Sequence, residues 1–572
     1  MKTFLPYISP YKFKISLQMF IKFAGTIFDL LIPWILSYII DNVVAQGNKK
    51  SVYFWGLLML LCSAGALIFN IIANRMASKI SCDITEKIRH DLFSKIMNLS
   101  CQQSDEFTQS SLISRLTSDT HFFYQMMLRM QRLGIRAPIL LIGGCTVTLM
   151  LDAKLALVLI SLLPVLFTIV FLISKKGVGL YTKVQQASDI LVRTIREFMS
   201  GIRVILALST KEYETQRFRK ANETAANAEQ KAGYVMASSS PAMSFIMNMG
   251  LVLAIAVGAY LVNKGETQAG KIIAFMTYFT IILNAIMSIT RIFVMLSKGT
   301  ASGSRIAKVL QSENELEYTV KRKEHRKGTL SHIELRNVSF SYDGNTDVLC
   351  DISFKVEKGQ TVGVIGATGS GKSTLLMLLL RFYDAENGEI LIDGVNIKSI
   401  EKKKLYKKFA TVFQNDILFS DSIGDNIKFG RKAVPCDMKQ AVKAAQASFI
   451  YEKDGQFEHK LDIGGRNLSG GQRQRVAIAR ALTKRAEILL LDDVSSALDY
   501  RTDSKLRKAI EESYAETTKI IVSQRASAVM NCDNIIVLDN GEITGKGTHS
   551  ELLKSNHLYR EIYDIQMGSA VI

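Results

Sequence analysis

Before about residue 300 the chain carries apolar runs of membrane-spanning character, among them "LLIPWILSYII", "LLMLLCSAGALIFNII", "LALVLISLLPVLFTIVFLI" and "IIAFMTYFTIILNAIMSI". A span needs roughly 20 predominantly apolar residues and must satisfy its own backbone hydrogen bonds, so these runs commit the first half to transmembrane helices. From Leu310 onward the apolar runs are only strand-sized and are broken by Gly, Asp and Lys, which reads as a soluble α/β fold. At 572 residues the chain exceeds one ordinary domain, in keeping with this division.

Six spans are predicted near 15–40, 51–75, 130–151, 153–175, 239–262 and 269–296. Short connections at 41–50, 152–154 and 263–268 lie on one side, and long segments near 76–129 and 176–238 on the other. The long segments are rich in Lys and Arg, which places them, both termini and the soluble half in the cytoplasm of a multi-pass protein of the cell (plasma) membrane. Lys49 and Lys50 count mildly against that orientation. The opening "MKTFLPYISPYKFK" lacks the compact apolar run and small-residue cleavage site of a signal peptide and reads as a short interfacial helix. A formal net charge of +19 would suit nucleic acid, but basic residues in cytoplasmic loops serve orientation and meet anionic lipid headgroups, so no nucleic-acid partner is expected. The seven Cys show neither paired nor metal-ligand spacing and read as packed thiols. The domains expected are a membrane domain over 1–310, a charged linker over 311–332 and a soluble domain over 333–572.

In the soluble half, "TVGVIGATGSGKSTLLMLLL" runs a β-branched strand into Gly366, Ala367, Thr368, Gly369, Ser370, Gly371, Lys372, Ser373 and Thr374, followed by a helix. This is the strand-turn-helix context in which a P-loop binds a nucleotide. Its backbone N–H groups and helix N-terminus converge on phosphates, Lys372 reaches the β/γ-phosphates, and the Ser373 hydroxyl ligates Mg²⁺. The strand "ILLLD", Ile488–Asp492, sets Asp492 where it can hold the same Mg²⁺, making ATP and Mg²⁺ the expected cofactors. "LSGGQRQRVAIARAL" opens a second anion-binding corner at a helix start, which one chain with one P-loop does not need for itself.

These motifs resemble those of the ATP-binding cassette (ABC) exporters, of the half-transporter type with six spans fused to one nucleotide-binding domain. The resemblance covers essentially the whole chain. It implies an α-helical membrane domain with long cytoplasmic extensions, followed by an α/β P-loop NTPase domain with a helical subdomain and an antiparallel β subdomain. Tyr342 matches the aromatic that stacks on adenine, and Gln414 in "TVFQNDILFS" the glutamine that touches Mg²⁺ and the attacking water. Leu468, Ser469, Gly470, Gly471 and Gln472 match the signature that caps the γ-phosphate on the partner's P-loop, and Ser496–Asp499 the loop crossing the dimer interface. The segments 111–120 and 200–218 resemble cytoplasmic stretches whose transverse helices dock on nucleotide domains.

Two residues depart from the family's catalytic pattern. Asp493 stands where the family has a glutamate that orients the attacking water, and Gln524 where it has a histidine. Shortening the acid by one methylene retracts its carboxylate, and a general base must sit within about 2.6–3.2 Å of the proton it takes or act through one water, so the expected loss is about 10²–10⁴-fold. Gln524 can donate a hydrogen bond but carries no proton or charge at neutral pH. With the signature intact, the expectation is a heterodimer. This chain then holds ATP at a degenerate site, with its own Walker-B site impaired, and lends its signature to a second half-transporter subunit.

Cargo is the least constrained expectation. Asp29 lies inside the first span, placed to attract cationic amphiphiles or to pair with Lys22 or Arg291, and Asp29 and Arg291 are the candidate substrate residues. Methionines such as Met243, Met247 and Met287 make the last spans adaptable. Fusion of the domains after six spans favours ATP-driven export, by alternating access, of drugs or other amphiphilic small molecules. The alternatives are a dedicated lipid or peptide exporter and, behind it, a regulatory ATP-gated membrane protein.

Overall fold

The computed structural model describes residues 2–312, 331–432 and 434–568, so most of the expected linker lies outside the described residues. The chain divides into two compact units, 1–98 with 108–312, and 99–107 with 313–572. The nine residues 99–107, which the sequence reading left in the membrane domain, go with the second unit.

The first unit is helical: α1 (Lys12–Tyr38), α2 (Lys49–Met97), α3 (Thr120–Leu151), α4 (Ala153–Ala207), α5 (Lys211–Ala237), α6 (Ser239–Asn263) and α7 (Ala269–Leu310). Asn48 and Asp152 start α2 and α4 by accepting hydrogen bonds from backbone N–H groups of the first turn. Most of these helices run well past the predicted spans, because their apolar stretches continue into amphipathic extensions. Among the described residues, five helical segments are long and apolar enough to cross a membrane, and Ala153–Val165 at the start of α4 is a shorter apolar one. Leu57, Leu60, Leu61 and Leu67 on α2 point outward, as a lipid-facing surface requires. Inside, Leu155, Leu159, Phe275, Phe279 and Ile282 form one core, and Leu30, Leu140 and Tyr278 another. A side chain on Gly144 would come within 2.8 Å of Ile282, so glycine there lets α3 approach α7 closely.

The segment 111–120 differs from its expectation. It forms the helix Gln109–Ser114 and a wider turn over Arg115–Asp119 leading into α3, and Asp119 is tied to Arg305 of α7. The helix that packs on nucleotide-domain residues is the earlier Cys101–Phe107, where Tyr383 donates a 2.6 Å hydrogen bond to Asp105. The segment 200–218 spans the end of α4, a turn at Leu208–Thr210 and the start of α5.

The second unit is built on two sheets. Strands β1 (Ile333–Ser341), β2 (Asp347–Val356), β4 (Asn387–Ile392) and β5 (Val395–Asn396) form an antiparallel sheet in the order β2-β1-β4-β5. The other sheet, in the order β10-β9-β3-β8-β7-β6, comprises β3 (Thr361–Ile365), β6 (Phe409–Val412), β7 (Ile488–Asp492), β8 (Thr518–Ser523), β9 (Asn534–Asp539) and β10 (Glu542–Gly547). All its strand pairs are parallel except β9 with β10. The central strands β3, β7 and β8 are almost wholly buried, which explains why each is built around aliphatic residues. Their register aligns Ile365 with Ser523 and Asp492 with Val522, so three loops leave the same sheet edge side by side.

Candidate functional site

Each of those loops delivers part of a site. The loop after β3 leads into α8 (Lys372–Leu379), with Gly371 at φ 95°. A side chain at Gly366 would lie 2.0 Å from the Leu538 carbonyl oxygen, and the turn closes only because that position is bare. Buried Lys372 folds back and donates to the Gly366 carbonyl at 3.0 Å and to Ser370 Oγ at 3.2 Å. Strand β7 ends in Asp492, the loop after it presents Asp493, and the loop after β8 presents Gln524.

These groups share a cavity of about 250 Å³, lined by residues including Thr368, Lys372, Ser373, Gln414, Asp492, Asp493 and Gln524. Ser373 Oγ donates to Asp492 Oδ2 at 3.0 Å, Gln414 Nε2 to Asp493 Oδ2 at 3.4 Å, and Thr368 Oγ1 to Gln524 Oε1 at 3.4 Å. Burial and the neighbouring Asp493 charge push the Asp492 carboxyl up, against the Ser373 hydrogen bond and Lys372. Burial also raises Asp493, which Arg525, Lys372, Ser523 and Gln414 hold down. Burial pulls Lys372 down, opposed by the two aspartates. A divalent cation between Ser373 and Asp492 would relieve both acids, and this all-oxygen donor set suits Mg²⁺.

Gly369, Gly371 and Thr374 line the cavity as well, whereas Tyr342 and Asp499 are not among its lining residues. Half-exposed Tyr342 donates to or accepts from Thr374 Oγ1 at 3.1 Å and is braced edge-on by Phe340 and Tyr383. The signature residues Leu468–Gln472 are not among those lining the cavity. Ser469 caps α9 (Gly470–Leu482) in a reciprocal pair with Gln472, leaving Ser469 and Gly470 exposed. Asp499 caps α10 (Tyr500–Ser513) by accepting from the Thr502 N–H at 3.0 Å.

In the membrane unit, Asp29 pairs with Arg136 at 2.9 Å, a partner the sequence reading did not consider. Lys22 instead donates to Asn70 and Asn74, and the Arg291 side chain lies outside those described. Sequence reasoning also missed Gln566 on α11 (His557–Met567). Its amide accepts from the Ala526 N–H at 2.7 Å and donates to the Gln524 carbonyl at 2.8 Å, bracketing the loop that carries Gln524. No local pattern announces such a contact across 42 positions.

Two family models match the chain, the ABC transporter transmembrane region over residues 15–286 and the ABC transporter model over residues 349–496. An uncharacterized ABC transporter ATP-binding protein of Bacillus subtilis (strain 168), YfiB, is 32% identical over 576 residues, 99% of each chain. An ATP-dependent lipid A-core flippase of Pseudomonas putida is 30% identical over 579 residues, 98% of this chain and 94% of the flippase. The solved structure of a bacterial Atm1-family ABC exporter with ATP bound superposes with a TM-score of 0.82 at 24% identity, covering 97% of this chain and 98% of that one. The chain therefore belongs to the ABC transporter family, as an exporter-type half-transporter with its membrane domain fused to its nucleotide-binding domain.

Proposed function

We propose that this chain is the ATP-holding subunit of a heterodimeric exporter: its own P-loop site cleaves ATP poorly, and its signature completes the competent site on the partner's P-loop. The observation that carries this reading is the pairing of Asp493 and Gln524 at one cavity with every nucleotide-holding group intact. ABC exporters work as dimers of half-transporters, and a homodimer of this chain would have two slow sites.

In this reading the P-loop N–H groups and Lys372 bind the phosphates, Lys372 exchanging its carbonyl partners for phosphate oxygens. Ser373 and Asp492 would hold Mg²⁺, which supplies neutralising charge on the phosphates. Gln414 orients Asp493 and the nearby water. Asp493, one methylene short, reaches that water poorly, and Gln524 offers the γ-phosphate a neutral amide donor. Ser469 and the N-terminus of α9 face outward for the partner's nucleotide.

The cargo we propose is an amphiphilic small molecule, drug or lipid, moved by alternating access. The lipid reading gains support from the 30%-identical lipid A-core flippase. The test is ATP turnover by the purified chain alone and co-purified with a second half-transporter: fast turnover by the homodimer overturns the division of labour, and turnover only in the pair supports it.

A further inference from the structure

Three cations and one carboxylate meet where α1, α2 and α3 pack together. Lys22 is 2% exposed, and its ammonium donates, among the described residues, to the amide oxygens Asn70 Oδ1 at 2.7 Å and Asn74 Oδ1 at 3.1 Å. It lies within electrostatic reach of Asp29, Arg132 and Arg136. Asp29 accepts from Arg136 at 2.9 Å and from Asn70 Nδ2 at 3.5 Å, which spends the one carboxylate of the group. Arg132 donates to the Asn74 carbonyl at 3.1 Å. The Nε atoms of both Arg132 and Arg136 are buried without a hydrogen-bond partner among the described residues. A net positive cluster within membrane helices is costly unless an anion completes it. With 40% of its side chain exposed, Arg136 is reachable from outside the packed helices. Phe28 and Phe69, each one residue before a member of the cluster, stack at 5.7 Å between α1 and α2 and supply an apolar pair at the same level of those helices.

We infer that this cluster is a cargo subsite for the anionic head group, phosphate or carboxylate, of an amphiphile whose apolar part lies along Phe28 and Phe69. Asp29 is then a tuning carboxylate that holds Arg136, not a receptor for cationic drugs. The assignment as cargo rests on the export reading, whereas the binding chemistry does not. The guanidinium groups would take the head group in charge-assisted hydrogen bonds, with Lys22 adding field from behind.

The test uses the complete transporter in nanodiscs of zwitterionic lipid without nucleotide, titrated calorimetrically with dodecyl phosphate, inorganic phosphate or dodecyltrimethylammonium. Dodecyl phosphate should bind more tightly than the ammonium amphiphile. Its affinity should fall about 10-fold in R132Q and in R136Q, hold in the charge-keeping R132K, and rise in D29N. Binding by inorganic phosphate as tight as by dodecyl phosphate supports the anion site and identifies its source as a free anion. Preference for the ammonium amphiphile, or affinities unmoved by R132Q and R136Q, overturns the proposal. Unchanged thermal unfolding and ATP binding guard against misfolded variants. The titration needs no nucleotide, so the two readings separate: dodecyl phosphate that binds here but is not moved when ATP is added to the same transporter in sealed vesicles counts against the export reading while leaving the subsite standing.

Discussion

Asp493 holds its backbone at φ 45°, with its N–H donated to the Val522 carbonyl at 2.9 Å. The main chain is pinned there, so reach toward the water is set by side-chain length. D493E should restore part of the hydrolysis in the homodimer, and D493E with Q524H more, up to about 10²–10⁴-fold. Steady-state phosphate release checks this, and full recovery by D493E alone would show that Gln524 does not limit the site. Asp492 gives a prediction of opposite character. Its folded-state acidity is weakened by burial, so its ionised form destabilises the nucleotide-free protein, and stability from this group is gained as pH falls. D492N should therefore raise the nucleotide-free melting temperature at neutral pH and flatten its rise on mild acidification. With MgATP the order should reverse, since the native chain alone gains the ligand's stabilisation, about 2.7 kcal/mol at a hundredfold excess over Kd. Thermal unfolding with and without MgATP, repeated after chelation of the metal, measures both. The P-loop and the two short acids were legible in the sequence because their chemistry is local. The partner of Asp29 was not, because Arg136 lies 107 positions away and helix packing decides which charges meet.

At the scale of elements, the parallel sheet explains why one reading of the sequence went so far. Strands β3, β7 and β8 each end in a motif, and their adjacency brings the three motifs to one edge. Helix ends were harder to read, because an amphipathic extension continues the backbone hydrogen bonding of a span without any composition break. The helix Cys101–Phe107 went unrecognised for a related reason: it is short and polar, and what distinguishes it from a solvated turn is packing, with Cys101 against the core of the second unit, Gln103 buried and Asp105 accepting from Tyr383. The C-terminal helix α11 is anchored by buried Tyr559, which hydrogen-bonds His549 Nδ1 at 2.7 Å, and it ends by bracketing the Gln524 loop through Gln566. Q566A should speed amide exchange in the peptide containing Ala526 about tenfold while leaving the P-loop peptide unchanged. Q566E keeps the acceptor for the Ala526 N–H and loses the donor to the Gln524 carbonyl, so its exchange should fall between the two. Hydrogen-exchange mass spectrometry reads this directly, and unchanged exchange in Q566A would reduce the bracket to an incidental contact.

For the whole molecule, the proposed division of labour makes two sites of this one chain unequal in their effects on the assembled pair. Lys372 serves the site that holds ATP, whereas Ser469 and the N-terminus of α9 serve the partner's site. In a pair with one working site, K372A should reduce ATP turnover only a few-fold, through weaker closure of the dimer. S469R places a long cation at the exposed start of α9, where the partner's γ-phosphate must seat, and should lower turnover by about 10²-fold or more. A transporter with two equivalent working sites would respond differently, because each site would need both its own P-loop and the other chain's signature, and K372A would be as damaging as S469R. Steady-state turnover of the co-purified pair carrying each variant in this chain alone separates the two cases. Equal losses would remove the asymmetry on which the heterodimer reading depends, even if the homodimer proved slow. A severe loss confined to S469R would place this chain's catalytic contribution in its signature, and the contribution of its P-loop in holding the nucleotide.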